Sequence, residues 1–282
     1  VVGILCTGSV VEMPWEGHLK ALLYGGLWGQ AGAGAVLDLL SGKLNPCGKL
    51  AESWPVKYED TPSFQYYPSK ERNSEYREGI YVGYRYYDKK KMDVLFPFGY
   101  GLSYTTFAYS NLRLDKKTMK DTEELTVSVD VTNTGDRAGK EVVQLYVADK
   151  ESTVIRPVKE LRDFVKIELA PGETKTVTFT LGKRAFAYYD VQIHDWQGET
   201  GEFEILIGAS SRDIALRDTV TVESTVKIPF HYTTDTTMGD IMSRPEAWKL
   251  VQSVLSKGMF GQGSEVNEGG DAAKEAISDE MN

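Results

Sequence analysis

Two cysteines and three histidines in 282 residues exclude a disulfide framework and a structural metal quartet. Cys6 lies in an apolar run and reads as a small buried hydrophobe, and Cys47 lies in the turn "NPCGK". His18, His194 and His231 are scattered without ligand spacing. Positive charge is also in short supply: 32 Lys and Arg stand against 41 Asp and Glu, a net charge of −9. An acidic chain repels phosphate backbones, so nucleic acid is not expected as a partner. The one concentrated basic stretch, Lys89-Lys90-Lys91, reads as a solvated turn. The opening run "VVGILCTG" is too short to cross a membrane and has no basic segment before it, so no membrane partner is expected. It reads as a buried strand, and a chain that opens inside one is expected to have lost an N-terminal part. "AGAGA" is not followed by Lys-Ser or Lys-Thr and is no phosphate loop; no cofactor and no metal are expected.

What is present falls into four stretches. Residues 1–56 read as strand, short helix, strand, helix. The strands are "VVGILCT" and "ALLYGGL", and the second helix carries Ala33, Val36, Leu37 and Leu40 on one face. Gly42 suits the C-terminal cap of that helix, and Pro46 stops its continuation. This is the grammar of an open α/β sheet, with about two units where a free-standing sheet needs more.

Residues 57–107 lack a clear period but are dense in rings: the span 75–107 holds ten of the chain's 31 aromatics. Aromatics carry large buried area on few rotors, so this connector is expected to be packed between two domains. Arg77, Glu78, Arg85 and Asp88 within it read as structural ion pairs.

Residues 108–222 alternate with period two. Leu125, Val127, Val129 and Val131 oppose Thr126, Ser128, Asp130 and Thr132, and Val143, Leu145 and Val147 share one face. Seven or eight short strands separated by turn signals predict a two-sheet β-sandwich. Residues 223–282 turn helical and then acidic. Ser243 to Glu246 fits a capping box, and Ala247, Leu250, Val251, Val254 and Leu255 form a stripe that needs a surface to dock on. The end, "AAKEAISDEMN", reads as a solvated tail.

Three stretches together resemble glycoside hydrolase family 3. "GQAGAGAVLDLLSGKLNPCGKLAESWP" is similar to the end of that family's α/β sandwich domain, and "EGIYVGYRYYD" with "FPFGYGLSYTTFAYS" to the junction after it. "VTNTGDRAGKEVVQLYVAD" and "RPVKELRDFVKIELAPGETKTVTFTL" are similar to its fibronectin type III-like domain. The resemblance implies an α/β remnant at 1–56, a partial open sheet with helices. After it come the connector 57–107, an all-β, immunoglobulin-like sandwich at 108–222 and a helical extension at 223–282. It also implies a retaining exo-glycosidase, most often a β-glucosidase, with a carbohydrate substrate and with N-terminal barrel and α/β domains as the absent neighbours. Such chemistry needs two carboxyl groups about 5 Å apart across one bond. The family's nucleophile lies on the barrel and its acid/base upstream of the strand resembling "VVGILCTG", so no catalytic residue is carried over to this chain.

The nearest substitute is the loop "SVVEMPWEGH", where Glu12 and Glu16 flank Trp15 after a strand. Ligands of open α/β sheets gather at such strand ends, and a Trp beside a carboxylate can hold a sugar ring. The plainer reading buries Trp15 and leaves the glutamates solvated. Glu12 and Trp15 are nevertheless the substrate-binding candidates. The alternative function is a carbohydrate- or partner-binding sandwich without hydrolysis, which requires an exposed row of aromatics; Tyr146 is its main outward-facing candidate, with Phe186, Tyr188 and Tyr189 near a strand end.

Overall fold

The computed structural model describes residues 1–69, 72–226 and 230–260. The chain divides into two compact units, Val1–Lys227 and Ile228–Asn282, and the solvated tail expected after residue 260 lies outside the described residues.

The first unit opens with β1 (Val2–Leu5) and β2 (Ala21–Tyr24), which pair in parallel, and α1 (Gly32–Leu40) follows. Gly42 adopts φ +75° just past α1, the left-handed position at which glycine meets no Cβ penalty. The expected burial of this segment does not hold. Val2 and Ile4 are exposed, and Leu37 on the apolar face of α1 is 66% exposed. Cys6 is exposed as well, past the end of β1. The reason is physical: two strands and one helix have too few neighbours to cover both faces.

β3 (Trp54–Pro55) pairs antiparallel with β4 (Val94–Phe96), which brings Trp54 opposite Phe96. Between them lies α2 (Tyr84–Lys90), a seven-residue helix that the aperiodic sequence did not announce. Gly83 starts it at φ +59° and Lys91 ends it in the left-handed region. The lysine run is thus its last turn and cap, an arrangement that also complements the helix dipole.

The sandwich comprises β5 (Phe107–Leu114), β6 (Thr118–Lys120), β7 (Leu125–Asn133), β8 (Gly139–Asp149), β9 (Glu160–Leu169), β10 (Thr174–Leu181), β11 (Tyr188–Asp190), β12 (Asp195–Gln197), β13 (Gly201–Gly208) and β14 (Ile214–Glu223). Eight of these form the two sheets, in orders β10-β7-β5 and β6-β14-β13-β8-β9. β11 and β12 make a separate hairpin, absent from the sequence reading because each strand is only three residues long. The period-two residues behave as expected: Leu125, Val127, Val129 and Val131 are fully buried, with Val143, Leu145, Val177, Phe179, Phe203 and Ile205 in the same core. Such alternation places one face of each strand in the core and the other outside it.

The second unit contains α3 (Met238–Met242) and α4 (Pro245–Phe260). The capping box lies one helix earlier than the sequence suggested. Thr237 and Asp240 form it at the start of α3, while Ser243 is the C-cap of that helix. Two short helices back to back leave Ser243 to end the first and Pro245 to open the second.

Candidate functional site

The loop after β1 carries Glu12 and Trp15 at the carboxyl end of the parallel pair. Trp15 is 42% exposed, so the reading that buries it fails, while neighbouring Met13 fills the buried position. Glu12 is exposed, as the plainer reading has it, but its carboxylate is engaged. Its Oε1 accepts the backbone N–H of Tyr58, tying the loop to the start of the connector. Tyr58 meets Phe64 edge to face at 5.0 Å, and both rings are partly open to solvent. The structure therefore brings Glu12 together with an aromatic pair that sequence reasoning missed. The signal was the string "KYEDTPSFQYY", whose ring density resembles the rest of the connector.

Downstream, the strip 96–107 makes contacts on both sides. Leu50 N–H donates to Tyr100 O and Gly99 N–H to Leu50 O, each at 2.8 Å, which fastens it to the α/β part. Phe96 stacks on Tyr100 and meets Trp54 edge on. Tyr104 donates its hydroxyl to Leu39 O at 2.9 Å, at the end of α1. On the other side, Ser211 N–H donates to Phe98 O at 2.9 Å, and Phe107 packs on the sandwich core. Gln144 Nε2 on β8 donates to Gly99 O (3.1 Å) and Ala209 O (2.7 Å), while its Oε1 accepts the Tyr146 hydroxyl (2.6 Å).

Gly99 sits at φ +80°, and a Cβ there would lie 2.2 Å from Gln144 Oε1. At Gly101 a Cβ would lie 2.1 Å from Gly48 O. Both glycines permit backbone approaches that no other residue allows. An ion pair crosses the same seam: Lys49 Nζ lies 3.0 Å from Glu141 Oε1, both side chains nearly buried, and the Tyr109 hydroxyl donates to the same carboxylate at 3.0 Å. Burial, then the Glu141 charge, pushes the Tyr109 hydroxyl far above its ordinary pKa.

The seam also decides the fate of the proposed binding face. Tyr146 points away from the sandwich core, as its register demands, yet it is 0% exposed. α2 and the strip cover that outer face: Tyr84 stacks on Phe98 at 4.8 Å and meets Tyr146 edge on at 6.1 Å. Phe186 is buried against Phe203, and Tyr188 is partly buried. Tyr189 remains exposed and pairs with Trp196 across the β11–β12 hairpin, but the Arg184 guanidinium covers the Trp196 ring at 3.5 Å. An aromatic row on the sandwich face is thus not formed by the residues expected to form it.

Three of the four charged connector groups expected to pair, Arg77, Arg85 and Asp88, enter ion pairs. Asp88 joins Lys159 at 2.6 Å and Arg212 at 3.2 Å, which clamps α2 to the sandwich beside a hollow of about 260 Å³. Arg77 pairs with Glu75, and Arg85 approaches Glu160. Among the described residues there is no cluster of His, Cys, Asp and Glu able to hold a metal, and no helix is long and apolar enough to cross a membrane.

Comparison with known proteins adds the following. The family model described as glycosyl hydrolase family 3 C-terminal domain matches residues 1–104, and the one described as fibronectin type III-like domain matches residues 141–211. The chain is 53% identical to thermostable beta-glucosidase B of Acetivibrio thermocellus over 91% of its own length and 34% of that protein's. It is 43% identical to an exo-alpha-(1->6)-L-arabinopyranosidase of Bifidobacterium breve over 93% of its own length and 34% of that protein's. The crystal structure of a GH3 beta-glucosidase from Bifidobacterium adolescentis superposes with a TM-score of 0.80 at 41% identity, covering 89% of this chain and 37% of that one. The chain thus spans about a third of the length of the curated relatives it matches.

Proposed function

The chain belongs to glycoside hydrolase family 3, matching that family's C-terminal and fibronectin type III-like parts, and we propose that it is the architectural portion of a retaining exo-glycosidase acting on terminal β-D-glucosyl residues. In this reading the complete enzyme binds the carbohydrate substrate, and both catalytic carboxylates lie outside residues 1–282. The division into 1–56, 57–107, 108–222 and 223–282 follows the same logic: sheet remnant, seam, sandwich, extension.

One observation carries the architectural role. The strip 96–107 is bonded at once to Leu50, Leu39, Gln144 and Ser211, which belong to the two parts it joins. A linker held at that many points keeps the α/β part in a fixed position on the sandwich. Glu12 and Trp15 are the positions from which this chain contributes to substrate. Trp15 offers an exposed ring, and Glu12 is oriented by Tyr58 at the strand end. Glu12 acts there as a hydroxyl-binding or loop-positioning group, because its carboxylate already accepts the Tyr58 backbone N–H.

The test is direct. The 282-residue chain is assayed with aryl β-glucosides and is expected to give no turnover above buffer. Turnover that disappears on replacing a carboxylate within 1–282 overturns the assignment. The binding-module reading is checked by affinity electrophoresis in laminarin gels: retardation abolished by Tyr189→Ala supports it, and unchanged mobility counts against it.

A further inference from the structure

The end of α1, the strip 96–107 and the turn between β7 and β8 meet around an open hollow of about 510 Å³, lined by Leu40, Ser41, Gly42, Tyr104 and Arg137. That size falls within the range of ordinary small-molecule sites, about 300–1,000 Å³. None of the five belongs to the loop of Glu12 and Trp15. Tyr104 is held at both ends: its backbone N–H donates to Asn45 Oδ1 at 2.8 Å and its hydroxyl to Leu39 O at 2.9 Å. Asn45 is itself fixed, because its Nδ2 donates to Ala138 O at 3.0 Å and its Oδ1 also accepts the Ser103 hydroxyl at 2.9 Å. The ring between these anchors is 44% exposed, and among the described residues no other ring and no cation stacks on it. Trp196 is the contrast, since the Arg184 guanidinium already occupies its face. A fixed, open aromatic ring offers apolar area with no rotor left to freeze on binding.

Arg137 supplies the polar side. Its guanidinium comes close to Gly42, where a Cβ would lie 3.2 Å from Nη1, and the glycine has no side chain to fill the space. Among the described residues the guanidinium has no acceptor and no ion-pair partner, so its N–H donors are all available. Leu40 and Ser41 end α1, and among the described residues neither carbonyl accepts a hydrogen bond, the ordinary state of a helix's last carbonyls. The hollow thus joins an apolar plane, donors and acceptors. The carbonyl end of a helix is partially negative and offsets the arginine, so the lining favours a neutral ligand over an anion. A pyranose ring meets all three demands, with C–H groups on one face and hydroxyls that both donate and accept.

We propose that this hollow binds a neutral pyranoside, separately from the loop of Glu12 and Trp15. Tyr104 is the platform for the C–H face, Arg137 donates to hydroxyls at the rim, and the carbonyls at the end of α1 accept from them. The inference stands on the hollow alone and not on the glycosidase assignment. Its test involves no turnover, so either can fail without the other.

The test follows the Tyr104 ring and Arg137 Nε–H resonances of the 282-residue chain during titration with methyl β-D-glucopyranoside. Both are expected to shift saturably and together, while sorbitol, which carries hydroxyls but no ring, shifts neither. Arg137→Ala, read at the Tyr104 ring, is expected to weaken binding about tenfold through loss of a charged donor. That variant keeps the backbone carbonyl that accepts from Asn133 Nδ2, so the turn retains its bond. Tyr104→Phe keeps the platform and is expected to bind within about threefold of the parent, whereas Tyr104→Ser loses saturable binding. Arg137→Ala keeps the test decisive where Tyr104→Ser fails to fold. No saturable shift at either residue overturns the site, and equal shifts with sorbitol overturn the pyranose. Tighter binding of inorganic phosphate than of the glycoside overturns the neutral ligand. Binding that survives Arg137→Ala unchanged and disappears in Trp15→Ala overturns the hollow in favour of the Trp15 loop.

Discussion

Replacing Gly99 by Ala probes the seam at its tightest point. The new Cβ arrives at a residue with φ +80°, and it lies 2.2 Å from Gln144 Oε1 and 2.8 Å from both Cδ and Nε2. The backbone conformation alone costs about 1–2 kcal/mol for a residue with a Cβ. The collision adds to this because Gln144 cannot retreat without loosening its bonds to Gly99 O, Ala209 O and the Tyr146 hydroxyl. Each buried polar group left without a partner costs about 1–3 kcal/mol. One such loss brings the expected destabilisation to about 2–5 kcal/mol. Gly172→Ala is the matched control: its φ is +72°, but a Cβ there meets nothing within 4 Å. It should lose only the backbone part, about 1–2 kcal/mol. Urea unfolding followed by tryptophan fluorescence measures both as shifts of midpoint at constant slope. Equal midpoints for the two variants would refute the claim that Gln144 fastens the strip to β8.

Further outcomes are open to measurement. Lys49→Met leaves Glu141 nearly buried without its cation and should cost about 3–5 kcal/mol, and the Lys49→Met, Glu141→Gln double variant should recover part of that, since Gln still accepts from Tyr109. Tyr84, Tyr109 and Tyr146 have pKa values raised chiefly by burial, and burial pushes Tyr87 up to about 12. Their folded-state values exceed the unfolded value of about 10, so their contribution is intact below that pH and lost above it; each group should lower stability by about 1.4 kcal/mol per pH unit there. Urea midpoints between pH 9 and pH 11, or a Tyr109→Phe variant whose alkaline loss is no smaller than that of the parent, would test this. Asp130 is held well below the ordinary carboxylate range by hydrogen bonds from Arg113, Thr176 and Asn111. Its contribution is therefore present above the unfolded pKa and lost as pH falls through the folded one, so Asp130→Asn should flatten the acid limb of the stability profile.

Local pattern made much of this protein legible. Alternation in "LTVSVDVT" and "KTVTFTLG" depends only on the two-residue repeat of a strand, and each strand buries the side that its sequence marks as apolar. The helix over 32–40 and its Gly42 end are equally local, and the ring density of 75–107 marked the seam because so many aromatics demand burial somewhere. What tertiary structure alone decided is which surfaces receive a cover. Tyr146 faces outward by register, and it is buried by Tyr84 of α2 and by Phe98, which lie 62 and 48 residues before it in the sequence. Cys6, Val2 and Leu37 look like core residues, yet two strands and a helix leave them exposed. The link from Glu12 to Tyr58 and the gathering of Arg85, Arg156 and Arg162 about Glu160 join segments with no shared period. Period is a property of neighbouring backbone torsions and can be read along the chain; burial and charge pairing depend on distances between remote segments, and those exist only once the chain has folded.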